Sequence, residues 1–307
     1  MGRSYNKLIK ERAKELGFSE IGFSKAEKLT EEEERLKVWL DKGFNAGMAY
    51  MNNHFEKRLD PTELVPGAKT VISLMYNYHT ELSQNNESIF KVSKYAYGRD
   101  YHKVVKNKLK KLFKYINDEI HPVSGRIFVD SAPVLEGAWA RKAGLGWIGK
   151  NSLLINPKKG SYFFLSELVI DLELDYDSPI SDYCGKCTKC IDACPTNAIH
   201  PDGYIVDANS CISFLTIENK EEIPEEFKNR MEDYIFGCDI CQEVCPWNRF
   251  AKEHDEPDFA PKKEFLDMTA RDWIELNETK FEKLFFGTPV ARTKFEGLKR
   301  NIEFVGK

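Results

Sequence analysis

Nowhere in the 307 residues does an apolar run approach the roughly 20 residues that cross a bilayer; one of the longest, Tyr162 to Leu165, has four. The opening MGRSYNKLIKERAKELGF lacks the apolar stretch of a secretory signal. Its Met-Gly start carries Asn6 where a myristoylation motif needs Ser or Thr. These absences predict a soluble, cytoplasmic protein with no membrane partner. A basic excess is also missing: 45 Lys and Arg against 49 Asp and Glu leave a net charge of −4. That is not the global electrostatic footprint of phosphate contact, although a local patch could serve. No phosphate loop is present, and Gly144-Leu-Gly146-Trp-Ile-Gly149 fits the dinucleotide glycine spacing only after a helical stretch, opening no βαβ unit. Cysteine is absent before residue 184 and after residue 245. At this length, with 42% hydrophobic residues, the chain can bury real cores and need not be a disulfide-stapled miniature.

What is there falls into three stretches. Residues 3 to 45 read as two helices around a short strand, Glu20 to Phe23, with Thr30 as N-cap of the second. Thr70 to Tyr76 is a β-branched strand, Arg126 to Val129 a buried strand, and Ser161 to Asp171 another. Between them KVVKNKLKKLFKYI makes a helix with Lys103, Lys106, Lys110 and Lys114 opposite Val105, Leu109, Leu112 and Ile116. Such a face is ordinarily solvated surface, and RNA contact is its weaker reading. Alternating helix and strand predicts an α/β or α+β domain over residues 1–178. A cysteine module with short strands follows over 179–250, then a helical C-terminal segment, 251–307, with Met268 to Phe286 helical.

The cysteines fall as Cys184-x2-Cys187-x2-Cys190-x3-Cys194-Pro195, a lone Cys211, and Cys238-x2-Cys241-x3-Cys245-Pro246. This is the spacing of bacterial two-cluster ferredoxins. Cys187, Cys190 and Cys194 recur 51 residues later as Cys238, Cys241 and Cys245, so the module is a duplicated half-site. The offset carries Cys184 onto Ile235, which leaves Cys211 to replace the missing ligand. In such modules the fourth cysteine of each run crosses to the other cluster. Cys184, Cys187, Cys190 and Cys245 then hold one 4Fe–4S cluster, and Cys194, Cys211, Cys238 and Cys241 the other. Disulfides are disfavoured in a cytosolic chain, and zinc ribbons use two separated C-x2-C pairs.

The stretch Asp130-Ser-Ala-Pro-Val-Leu-Glu136 to Asn151-Ser152 places a polar turn after a strand, and its three glycines within six residues let backbone approach a large planar or anionic ligand. Alone, Asp130 reads equally as a turn or cap residue before Pro133. With Lys57-Arg58-Leu-Asp60-Pro61, Ser93-Lys-Tyr95-Ala-Tyr97-Gly-Arg-Asp100-Tyr101-His102, and Cys211-Ile-Ser213-Phe-Leu-Thr216, it resembles the epoxyqueuosine reductase family over most of residues 40 to 250.

The resemblance implies a cobalamin-binding domain, similar to that of reductive dehalogenases, supplied with single electrons by the two clusters. The reaction it implies removes an epoxide oxygen as water in the anticodon loop of tRNA, finishing queuosine, with Asp130 as proton donor. It further implies Arg58, Ser93, Asn151, Ser152 and Ser213, besides Asp130, around cobalamin, and His102 as a hydrogen-bonding residue instead of a cobalt ligand. The partners expected are tRNA and an external low-potential electron donor, with the enzyme acting as a monomer. Asp130 needs a raised pKa for its role, and burial is the expected means. Many family members continue into a helical-repeat domain where this chain stops at Lys307, so part of the RNA-gripping surface is expected to be absent. Two other readings compete: a ferredoxin-type electron carrier, which would bind no corrinoid, and a dehalogenase-like corrinoid reductase acting on a small molecule, which would need no RNA.

Overall fold

The computed structural model describes residues 4–85 and 87–306. Ser4 caps α1 (Tyr5–Glu15), which feeds β1 (Glu20–Lys25) and then α2 (Thr30–Asp41). Thr30 is the first helical residue, and the cap position falls to Leu29 without a side-chain bond; the acidic first turn, Glu31 to Glu33, still complements the helix dipole. Next come α3 (Phe55–Leu59), β2 (Thr70–Asn77), β3 (Lys91–Val92) and the lysine helix α4 (Tyr101–Tyr115). β4 (Gly125–Phe128), α5 (Glu136–Lys142), the hairpin β5 (Trp147–Ile148) with β6 (Leu154–Ile155), and β7 (Phe163–Ile170) complete the first half.

β1, β2, β7 and β4 form one sheet in that order, antiparallel throughout, so the first half is α+β. Two-residue alternation sorts its faces. Ile72, Leu74, Phe164 and Leu168 pack with α1 and the Val105, Leu109, Leu112 and Ile116 stripe of α4, leaving Lys103, Lys106, Lys110 and Lys114 exposed. Val71 and Val169 face the other way, onto Leu36, Leu59 and Trp139. β4 is an edge strand; Arg126 lies exposed on it, and only Phe128 within its span is buried, because nothing pairs along its outer side.

In the cysteine-bearing stretch α6 (Lys189–Asp192) and α8 (Ile240–Glu243) are four-residue helices offset by 51 residues, the cysteine repeat written as structure. Between them lie α7 (Ile212–Ile217) and β8 (Tyr234–Phe236). β8 pairs in parallel with β3, which draws residues 91–93 out of the first half and onto the cysteine module. After it come α9 (Lys263–Leu266), α10 (Ala270–Ile274), α11 (Glu278–Phe285) and α12 (Lys294–Val305). The Met268 to Phe286 region is therefore two helices, broken where Asn277 caps α11. The C-terminal helices share one core with Phe90, Val92, Ile235 and Phe236.

α12 also closes α7 chemically. Fully buried Asn301 donates to the Thr216 and Ile235 carbonyls, both at 2.8 Å, and Arg300 reaches the Leu215 and Asn219 carbonyls at 3.2 and 3.0 Å. The Leu215 and Thr216 carbonyls are acceptors that the C-terminal end of α7 leaves open, whereas that of Ile235 belongs to β8. Replacing Asn301 with Leu should strip both carbonyls of their donor at once. The expected loss is about 2–4 kcal/mol, seen as a lowered urea midpoint followed through the fluorescence of buried Trp273.

Candidate active site

Cys184, Cys187, Cys190 and Cys245 line a common cavity of about 240 Å³. Among the described residues no three His, Cys, Asp or Glu side chains close on a single ion-sized point; four thiols around such a space leave room for a multi-iron cluster. Cys194, Cys211, Cys238 and Cys241 form a second group, near enough to sense one another's charge, and Cys241 also senses Cys190 of the first. Each group draws on both halves of the repeat.

The sulfurs sit among N–H donors of the kind that stabilise bound thiolate. Trp147 Nε1 lies 3.4 Å from Cys184 Sγ, and the Ala198 N–H donates to Cys194 at 3.3 Å. Backbone N–H groups of Phe214 and Ser213 serve Cys211, that of Ile240 serves Cys238, and those of Trp247 and Asn248 serve Cys245. Burial pushes the Cys238 and Cys241 thiols far up, so without metal they hold their protons and cluster binding must release them.

From the second group a continuous line of contacts runs to Asp130. Asp239, next to Cys238, is buried; burial raises its carboxyl to about 6 against the opposing pull of bonds from Ser93 Oγ and the Lys94 N–H. Gly237 makes this possible: its φ is +68°, and a Cβ there would stand 2.5 Å from that of Ser93. Tyr95, two residues on, packs edge-on against Tyr101 at 6.2 Å between rings. The Tyr101 hydroxyl donates to Asp130 Oδ2, and its ring stacks on Phe164 at 4.0 Å and on His102.

Asp130 lies two residues past the end of β4 in the left-handed region, φ +52°, which aspartate tolerates better than most residues. Its side chain is 48% exposed, so the burial expected from the sequence is not what surrounds it; the edge position of β4 puts it on a rim. What it has are proton-bearing neighbours. His102 Nε2 stands 3.5 Å from Oδ2, while His102 Nδ1 meets Asp100 Oδ1 at 2.8 Å. Burial alone would lower the His102 pKa, but the carboxylates of Asp100 and Asp130 outweigh it and hold the ring at about 9. His102 is therefore an imidazolium at neutral pH. The Asp130 N–H donates to Glu136 Oε1 at 2.5 Å.

The other residues expected at the site are placed unevenly. Arg58 is buried on α3, with Nη2 on the Tyr50 carbonyl at 2.6 Å and Nε without a partner among the described residues. Asn151 is buried and holds the Cys241 carbonyl at 3.2 Å; Ser152 is exposed with φ +62°, and Ser213 is half-buried at the start of α7. Two of the three clustered glycines serve backbone against backbone: a Cβ on Gly144 would meet the Ser178 carbonyl at 2.6 Å and one on Gly146 the Ile155 carbonyl at 2.4 Å. Sequence reasoning missed the Glu218–Arg292 ion pair, 2.6 Å, whose charges reach Tyr50 and Tyr95 together with that of Asp130. It also missed Glu167, buried beneath the Asp130 loop. Neither carries a spacing signal, because the partners come from distant segments.

Comparison with known proteins places this geometry. A family model described as "Epoxyqueuosine reductase QueG, DUF1730" matches residues 58–131, and one described as a 4Fe-4S double cluster binding domain matches residues 183–248. An epoxyqueuosine reductase of Leadbetterella byssophila is 58% identical over 303 residues, 99% of each chain. A crystal structure of epoxyqueuosine reductase with an epoxyqueuosine-modified tRNA-Tyr stem loop superposes with a TM-score of 0.88 at 30% identity, covering 97% of this chain and 79% of that one. The Bacillus subtilis epoxyqueuosine reductase, in a structure with its catalytic aspartate loop swung out of the active site, gives 0.88 at 29%, covering 97% and 79%.

The environment of His102 can be tested directly. Its imidazole should titrate by NMR near pH 9, and Asp100→Asn should lower that midpoint by about 1 unit or more. Because the folded value lies above the unfolded one, the stabilisation is complete below about pH 6.5 and is lost as pH rises through about 9.

Proposed function

The chain belongs to the epoxyqueuosine reductase family, and from that premise we propose how its own residues divide the work of reducing epoxyqueuosine to queuosine in tRNA. The reaction breaks both C–O bonds of the epoxide and forms a C=C bond, and the oxygen leaves as water, so two electrons and two protons are consumed. The module over residues 179–250 carries two 4Fe–4S clusters. Cys184, Cys187, Cys190 and Cys245 would hold one of them, and Cys194, Cys211, Cys238 and Cys241 the other. Cobalamin suits the first domain, residues 1–178, where Arg58 keeps a buried Nε with no partner among the described residues, beside Tyr50, which in turn senses the charge of Asp130. Arg58, Ser93, Asn151, Ser152 and Ser213 would hold it, Ser213 reaching in from α7. When bound, cobalamin supplies a strongly reducing cobalt centre able to take electrons one at a time.

The observation that carries the proton side is the arrangement around one carboxyl. Tyr101 and His102 both approach Asp130 Oδ2, and among the described residues no bond falls on Oδ1. The His102 imidazolium can supply a proton to the Asp130 carboxylate from the Oδ2 side, and Asp130, presenting Oδ1 to the epoxide oxygen, can then hand a proton on there. Exposure of Asp130 then has a use, since a half-open rim leaves a substrate access to it; in a structure of the Bacillus subtilis relative the catalytic aspartate loop is swung out of the active site.

Electrons would enter at the first tetrad. Its cavity is rimmed by Lys150, Lys189 and Arg249 with Tyr183 and Trp247, a cationic and aromatic border suited to a low-potential acidic carrier. No helix among the described residues is long and apolar enough to cross a membrane. Both tetrads and Asp130 lie on one chain, which supports action on tRNA as a monomer.

Anaerobically purified protein should contain about eight irons per chain, from two four-iron clusters, and zinc in their place would sink the assignment. Incubated with reductant, cobalamin and tRNA carrying the epoxide, it should yield queuosine by nucleoside mass analysis. Asp130→Ala should lower that turnover by about 100-fold or more with iron content unchanged. The double variant Lys189→Glu with Arg249→Glu should slow cluster reduction by reduced flavodoxin about tenfold, leaving reduction by photoreduced deazaflavin as it was.

A further inference from the structure

Glu167 sits on β7 with no exposed surface, and among the described residues no N–H or hydroxyl donates to either of its carboxyl oxygens. Strand register puts Ser73 and Phe128 beside it on β2 and β4, and Ser73 Oγ is itself buried and unpartnered. The group that faces it from α5 is a second carboxyl, Glu136. Among the described residues neither is in an ion pair with Lys or Arg. Two carboxylates in such a space cannot both ionise. Burial, then the charge of Asp130, pushes Glu136 up to about 8; burial, then Glu136, pushes Glu167 well above the usual carboxylate range. A proton on Glu167 finds its acceptor in Glu136, and this leaves Glu136 Oε1 for the Asp130 N–H. The other ionisable groups sensed by the pair are Asp130 from the loop after β4 and His102 from α4; β2 and β4 contribute only Ser73 and Phe128 at this level.

We propose that half-buried Glu136, backed by buried Glu167, clamps the Asp130 loop over the site, with Glu136 the positioning residue that fixes the left-handed backbone of the proton donor. A non-glycine residue at φ +52° persists only where its surroundings hold it, and the 2.5 Å bond from its own N–H is that hold. Glu167 keeps Glu136 from turning away. The clamp rests on the reading of Asp130 as proton donor.

The test uses holoenzyme with both clusters and cobalamin, acting on an epoxyqueuosine-modified tRNA stem loop. Glu136→Ala should lower kcat about 30-fold with KM within about twofold, as a displaced catalytic group does. Glu136→Gln, whose amide oxygen still accepts from the Asp130 N–H, should recover to within about fivefold of wild type. Hydrogen exchange over residues 129–135, read by mass spectrometry, should quicken about tenfold in the alanine variant and stay protected in the glutamine variant. Wild-type kcat and unchanged exchange in Glu136→Ala would overturn the clamp. If the alanine variant loses iron, the glutamine variant decides: protection with activity supports the clamp, and lost protection with full activity overturns it. Full activity in Asp130→Ala would instead remove the premise, whereas an inactive Asp130→Ala beside an unaffected Glu136→Ala would overturn the clamp alone.

Discussion

The parallel pairing of Lys91–Val92 with Tyr234–Phe236 is the contact on which the rest depends. It is only a few residues long, yet it delivers Ser93 to Asp239, one residue from Cys238, and so fixes where the first half meets the cysteine module. Tyr95 follows from it, Tyr101 from Tyr95, and Asp130 from Tyr101. Electron delivery and proton delivery belong to different segments of the chain, and this short ladder sets their separation. The buried Asp239 carboxyl, bonded on both oxygens, makes the junction stiff.

The proton side solves a problem the sequence poses differently. A carboxylic acid working near neutrality is ordinarily kept protonated by burial. Here the catalytic candidate stands on a rim, and burial falls instead on its supports. Glu167 is fully buried on the sheet, Glu136 is half-buried on α5, and His102 is partly buried between two carboxylates. Desolvation thus acts one step back from the reacting group, on the residues that hold it in place.

Much of this was legible in advance for a physical reason. The two-cluster module announces itself because a folded sulfur site needs fixed local spacing, and the 51-residue repeat shows again in the paired helices α6 and α8. Strands such as Thr70–Asn77 and the stripe of α4 were readable from period alone. What escaped was long-range. The antiparallel order of the sheet, the edge position of β4 and the joining of residues 90–97 to the C-terminal helices depend on pairings that no local window contains. Glu167 looked like one polar residue in an apolar strand, and only its partner on α5 gives it meaning. The glycines at 144 and 146 signalled close approach correctly, but of backbone to backbone.

Asn301 and Arg300 reach from α12 to the open end of α7, whose first residues supply N–H groups to Cys211. The last helix described is therefore part of the scaffold for a sulfur ligand encoded some 80–90 residues earlier. During synthesis Cys211 leaves the ribosome long before its support exists. With Cys211 as the iron ligand proposed above, that site would gain its full support only once α12 has docked, and the second cluster would mature late.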